Sequence, residues 1–148
     1  MNDLNKEGLR LLNYRCRVED EPYNIEHPDW KEIEEAINKV VPNGGFLKLY
    51  NTTKNDAYIH LLGIDSIGGQ FRIVLLTNSD DHKKSILEWW EPEDSPFRGK
   101  TLFGDDAWDN RTICTNINTA YEILKEFYTK QDLIEGLENM RSTWDIKP

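Results

Sequence analysis

The sequence predicts an α+β fold, a single domain over residues 1–148 in which a mostly antiparallel β-sheet packs against two or three helices. Three observations carry this expectation. The 148 residues suit one ordinary domain. Two segments repeat apolar residues at helical spacing. Between them, short apolar or alternating runs follow one another too closely to leave room for the helical crossovers that parallel strands need.

The chain begins with a candidate strand around Leu9–Val18. The stretch from His27 to Val41 then places Trp30, Ile33, Ile37, Val40 and Val41 on one face of a helix. Asp29 followed three residues later by Glu32 gives that helix a capping box, and Glu35 before Lys39 is the favourable ion-pair order. Pro42-Asn43-Gly44-Gly45 is its stop signal. FLKLY, AYIHLLGI and FRIVLLT, between Phe46 and Leu76, read as three strands separated by a turn at Asn51–Asp56 and by Gly68-Gly69. A fourth strand is expected at Ser85–Glu91, where alternation sets Leu87, Trp89 and Glu91 against Ile86, Glu88 and Trp90. Pro92 to Asn110 reads mainly as loop, long enough to hide a short strand such as Lys100–Phe103. A strand at Thr112–Thr115 precedes the second helix, Asn118 to Lys130, whose apolar set is Ala120, Tyr121, Leu124, Phe127 and Tyr128, with Thr119 and Glu122 as its capping box. A third short helix or turn is expected at Asp132–Met140. No 20–50-residue period repeats along the chain.

A chain of this length buries roughly 68–70% of the surface its unfolded form exposes, enough for a core without metal or disulfide staples. Hydrophobic residues make up 38% and aromatics 11%, which a disordered chain would not carry. Eighteen Lys and Arg against 27 Asp and Glu leave a formal charge of -9. That balance opposes direct binding of nucleic acid, whose affinity comes largely from cationic side chains displacing counterions, and favours a basic protein partner. Cys16 and Cys114 match no zinc or dithiol spacing and read as buried thiols. The N-terminus has no apolar core of signal-peptide length, and no segment approaches the ~18 apolar residues of a membrane span, so a cytoplasmic protein without membrane contact is expected.

Catalytic signatures are scarce. His27, His60 and His82 form no metal-binding spacing with one another. Neither cysteine sits in a nucleophile motif, and the glycine pairs Gly44-Gly45 and Gly68-Gly69 belong to turns rather than to phosphate loops. The strongest enzymatic alternative is a D-D-x-x-D run, Asp105, Asp106 and Asp109, which could hold a divalent ion for a hydrolase while Arg98, Lys100 and Arg111 hold substrate phosphates. Acid runs are more often solvated surface. No metal, no cofactor and no enzymatic activity are therefore expected.

The most informative feature is a window from Glu88 to Asp109 with seven acids and two bases, Arg98 and Lys100, interleaved with Trp89, Trp90, Phe97, Phe103 and Trp108. Aromatic anchors within a ring of charge match the anatomy of a protein interface. The rival reading makes Trp89, Phe103 and Trp108 core residues and the acids ordinary surface. A second acidic stretch, Glu19 to Glu35, carries eight acids and one base, Lys31.

HPDWKEIEEAINKVVPNGGFLKLY, the alternating strands, and FGDDAWDNRTICTNINTAYEILKEFY closing with TKQDL together resemble a family of small bacterial immunity proteins associated with polymorphic-toxin and contact-dependent growth-inhibition loci. The resemblance spans Trp30 to Leu133 and rests on Trp30, Ile33, Gly104, Trp108, Asp109 and Phe127. It implies a cytoplasmic antidote that binds the C-terminal domain of a cognate toxin and blocks its active site or cofactor surface. An acidic antidote would suit a basic nuclease, whose phosphate ligand it imitates and toward which it is steered. The expected contacts are Glu91, Glu93, Asp94, Asp105, Asp106 and Asp109 as charge-pairing groups, with Trp90 and Trp108 as anchors. The remaining alternative is an acidic adaptor module with some other basic partner.

Overall fold

The computed structural model describes residues 9–16, 23–26, 28–51, 59–81, 83–130 and 140–142, with side chains described from Ile25 onward. His27, His82, the side chain of Cys16, the turn after Asn51, the third helix expected before Met140 and Trp144 lie outside the described residues.

Helix α1 (Trp30–Asn43) forms where the apolar spacing places it. Its capping box closes: the Glu32 amide donates to Asp29 Oδ1 at 2.8 Å and the Asp29 amide to Glu32 Oε1 at 3.0 Å. Ile33, Ala36, Ile37, Val40 and Val41 are its buried stripe. Pro42 does not stop the helix but rides in its last turn. Termination falls to Gly44, whose φ of 92° suits a residue without Cβ and whose amide donates to Val40 O at 2.8 Å. Trp30 is only half-buried and meets Tyr128 with ring centroids 6.1 Å apart.

Strands β1 (Leu9–Cys16), β2 (Tyr23–Glu26), β3 (Gly45–Asn51), β4 (Ile59–Ile67), β5 (Gln70–Thr77), β6 (Ile86–Trp89) and β9 (Met140–Arg141) make a seven-stranded sheet in the order β2-β1-β3-β4-β5-β6-β9. Every neighbouring pair is antiparallel. The meander β3 to β6 arises because its short connections permit nothing else. Two rows cross it in register, Leu47-Ile64-Ile73 and Leu49-Leu62-Leu75-Leu87. All seven side chains are buried, and together with the α1 stripe and Ala120, Leu124 and Phe127 of helix α2 (Ile117–Lys130) they form one core. The helices thus cover one sheet face, and the α+β expectation holds.

Strands β2 and β9 lie outside the expectation, which assigns Met140 to the end of a short helix or turn, and the other differences from it cluster around residues 85–119. Strand β6 is shorter than Ser85–Glu91 because Trp90 and Glu91 leave the sheet, the Glu91 amide donating instead to Arg111 O at 2.9 Å. The supposed long loop contains a hairpin, β7 (Lys100–Phe103) and β8 (Asp106–Asp109), turned at Gly104 with φ 69°. Residues Thr112–Thr115 are not a strand. The Asp109 carboxylate accepts from the Arg111 amide and bends Asn110–Thr112 into a 3-10 turn, leaving Cys114 a single bridge to Phe71. The α2 helix starts one residue early, with Asn116 Oδ1 accepting from the Asn118 amide at 3.0 Å, so Thr119 sits inside the first turn rather than capping it. Ile123, omitted from the expected apolar set, is buried there as well.

Among the described residues, no helix is long and apolar enough to cross a membrane.

Candidate protein-binding surface

On the sheet face away from the helices, alternation aims Arg72 and Glu88 outward. Both are nevertheless buried and paired with each other. The cover comes from the hairpin: Trp108 on β8 lies flat against Arg72, whose Cζ is 3.6 Å from the ring centroid. Phe103 shares that side of the hairpin and is also buried. A cation and an anion in a dry site survive only when paired and hydrogen-bonded, so the hairpin and the Arg72–Glu88 pair depend on each other.

Two further ion pairs fasten the window. Arg98 grips Glu91 with Nη1 and Nη2 at 2.8 and 2.6 Å, and Arg111 grips Asp109 through Nε and Nη2 at 3.0 and 2.7 Å. Both are fork-to-fork contacts, the strongest geometry for such a pair. The hydrogen bond from Arg98 holds the Glu91 carboxyl below its ordinary range, and that from Arg111 does the same for Asp109. The Arg111 guanidinium also lies 5.5 Å from the rings of both Trp90 and Phe97. Asn110 ties the base of the hairpin: its amide donates to Gly99 O at 3.0 Å, its side chain to Arg98 O at 3.2 Å, and Thr101 Oγ1 donates to its Oδ1.

These contacts divide the expected binding residues in two. Trp90 is buried, its indole N–H without an acceptor among the described residues. Trp108 faces Arg72, Glu91 is committed to Arg98 within the window and Asp109 to Arg111 just beyond it. Glu93, Asp94, Asp105 and Asp106 are exposed and have no ion pair among the described residues. The same stretch of chain carries two apolar side chains that a fold would ordinarily cover, Leu102 at 71% and Phe97 at 50% exposure. Sequence reasoning missed Leu102, because a strand residue flanked by apolar neighbours reads as core. It also missed Arg72 as an anchor for Trp108, and only the Asp-Asn-Arg spacing at 109–111 hinted that a base would consume an acid.

The D-D-x-x-D run is not assembled as a ligand set, since Asp109 turns its two oxygens to Arg111 while Asp105 and Asp106 point to solvent. Among the described residues, no three His, Cys, Asp or Glu side chains are placed to hold a metal ion. His60 contacts Asn78 across 3.0 Å, and burial raises the Cys114 thiol above its ordinary range, away from nucleophilic use. A groove of about 800 Å³ opens between the end of β6 and α2, walled by Trp89, Pro92 and Ile123 and rimmed by the Glu126–Lys130 pair.

A family of unknown function, DUF6911, matches residues 12–137. The chain belongs to that family. The match runs from β1 past the end of α2 and so takes in the whole hairpin window. The fold is similar to that of a hypothetical protein from Neisseria gonorrhoeae, with a TM-score of 0.64 at 19% identity over 86% of this chain and 91% of that one. At that identity the likeness shows the shared fold alone. No curated protein matches the chain. In this DUF6911 member, function has to be argued from the surface itself.

Proposed function

We propose that the protein is a non-enzymatic antidote of the immunity type, which binds a cognate basic toxin domain in the cytoplasm, a nuclease being the best match to its charge, and blocks it. The observation that supports this reading is the sorting of the acidic window. Three acids are neutralised by arginines within the fold, and four, Glu93, Asp94, Asp105 and Asp106, are exposed without an ion pair among the described residues, in the same stretch of chain as the exposed Leu102 and Phe97. Exposed apolar side chains interspersed with exposed acids match the apolar anchors and steering charges of an interface. The net charge of -9 adds long-range attraction toward a cationic partner. The contact set narrows to Glu93, Asp94, Asp105 and Asp106 with Leu102 and Phe97, and the remaining residues of the window hold that set in place.

The test is protection. The chain is coexpressed with the C-terminal domain of a large secreted protein encoded beside it, with growth and complex formation recorded. Rescue with a 1:1 complex supports the reading, and a Glu93→Lys/Asp94→Lys variant should then associate more slowly with a weaker salt dependence. An active toxin domain that is neither bound nor neutralised would refute it, as would a gene neighbourhood lacking any such secreted protein.

A further inference from the structure

The β7–β8 hairpin forms a sheet by itself, and neither of its strands packs its backbone closely on another described helix or strand. Its attachment is made instead by side chains and by its base. Both ends of the base converge on Glu91: the carboxylate of that residue accepts from Arg98, just before β7, and its amide donates to Arg111 O, just after β8. Between this fastening and the strands lies Gly99, at φ 101° with no neighbouring atom within 4 Å of where a Cβ would stand, its carbonyl accepting from the Asn110 amide at 3.0 Å. The hairpin thus has one fastened end and an uncrowded pivot.

The register sets Thr101, Phe103 and Trp108 on one side of the ribbon and the exposed Lys100, Leu102 and Ala107 on the other. Closing the ribbon onto the sheet buries Phe103 and part of Trp108, and the removal of that apolar area from water favours the closed form. The floor beneath Trp108 is charged, however. Closing also strips water from Arg72 and Glu88 and leaves the Arg72 Nε–H with no acceptor among the described residues. Lifting the ribbon returns hydration to both ions and to that N–H. The contact between hairpin and sheet therefore opposes its own closure, as the apolar contacts of the core do not.

The geometry points to a hinged lid: β7–β8 swings off the sheet about Gly99 and Asn110 while the seven-stranded sheet and both helices stay folded, baring Arg72, Glu88 and the rings of Phe103 and Trp108. Sparse backbone packing and an attachment confined to a few side chains are the features of a segment that opens locally rather than with the whole domain. The lid is a property of the fold and does not depend on the protein being an antidote.

Native-state hydrogen exchange of the full chain tests it. The lid expects the hydrogen-bonded amides of Lys100–Phe103 and Asp106–Asp109 to be protected about tenfold or more less than those paired between β4 and β5, and to exchange with little dependence on denaturant. Trp108→Ala should speed hairpin exchange more than exchange in β4 and β5. Glu88→Leu with Arg72→Met should slow hairpin exchange about tenfold, because the hydration no longer regained on opening outweighs the lost stack on Trp108. Hairpin amides that exchange only together with β4 and β5, through the same denaturant-sensitive opening, would overturn the lid. Unchanged or faster hairpin exchange in the double replacement, with β4 and β5 still protected, would overturn it too, and if that variant fails to fold the denaturant series on the parent chain decides.

Discussion

Replacing Glu88 by Leu tests whether Trp108 seals a charged pair into the sheet. The Glu88 carboxylate retains 6% of its side-chain exposure and Arg72 9%, so neither charge reaches much water. Removing the acid leaves the Arg72 cation stacked on Trp108 without its carboxylate, and breaking a buried pair on one side costs about 3–5 kcal/mol. For a domain of this size each kcal/mol shifts Tm by roughly 2–4 °C, so thermal unfolding followed by circular dichroism should fall by about 6–20 °C. Replacing both partners, Glu88→Leu with Arg72→Met, should recover most or all of that loss, since it also removes the Arg72 Nε–H that is buried without an acceptor among the described residues, a defect worth about 1–3 kcal/mol. Trp108→Ala should cost about 2 kcal/mol or more through the lost cation–π contact alone. A double-mutant cycle should couple Trp108 to Glu88, because uncovering the site lets water screen the pair. If Glu88→Leu proves nearly neutral, within about 0.5 kcal/mol as surface substitutions are, or if the double replacement is worse than the single, the buried-pair argument is wrong.

Four other outcomes are expected. Asp29→Ala removes the acceptor for the Glu32 amide and should cost about 0.5–2 kcal/mol in urea unfolding. Gly104→Ala meets no atom within 4 Å, so its cost is conformational, about 1–2 kcal/mol, and should show as faster hydrogen exchange in the hairpin. Leu102→Ser should leave Tm unchanged, because the side chain is already 71% exposed, while the proposed function expects it to weaken binding of the coexpressed domain. Glu91 and Asp109 are held below their ordinary values of 4.5 and 3.8, so their stabilising contribution is complete above that range and is lost as pH falls through the lowered values. Glu91→Gln should therefore be less stable than the parent at neutral pH and converge with it in acid, and a constant difference across that range would contradict the pairing.

Much of the fold was legible in the sequence because its causes are local. The Asp29/Glu32 box and the Ile33–Val41 stripe specify α1 within a few residues of chain, and the apolar alternation of β3 to β5 with short connections leaves an antiparallel meander as the only arrangement. The Gly104 turn was less visible, since Asp106–Asp109 carries two acids and looks like loop until Trp108 finds Arg72, distant in sequence. The same distance explains the reassignment within the acidic window. Composition counts Glu88, Glu91 and Asp109 with Glu93, Asp94, Asp105 and Asp106 as equal charges. Arg72 comes from a different strand, and Arg98 and Arg111 reach their acids only after the chain folds back through the hairpin. Burial separates Trp90 from Leu102 by the same logic: hydrophobicity marks both for the interior, and only the covering elements decide which is enclosed. By itself the sequence determined the two long helices, the meander and the negative charge, all set by short-range periodicity and count. Only the tertiary structure decided which charges cancel within the fold and which face outward, because a carboxylate's environment is made by residues far from it along the chain.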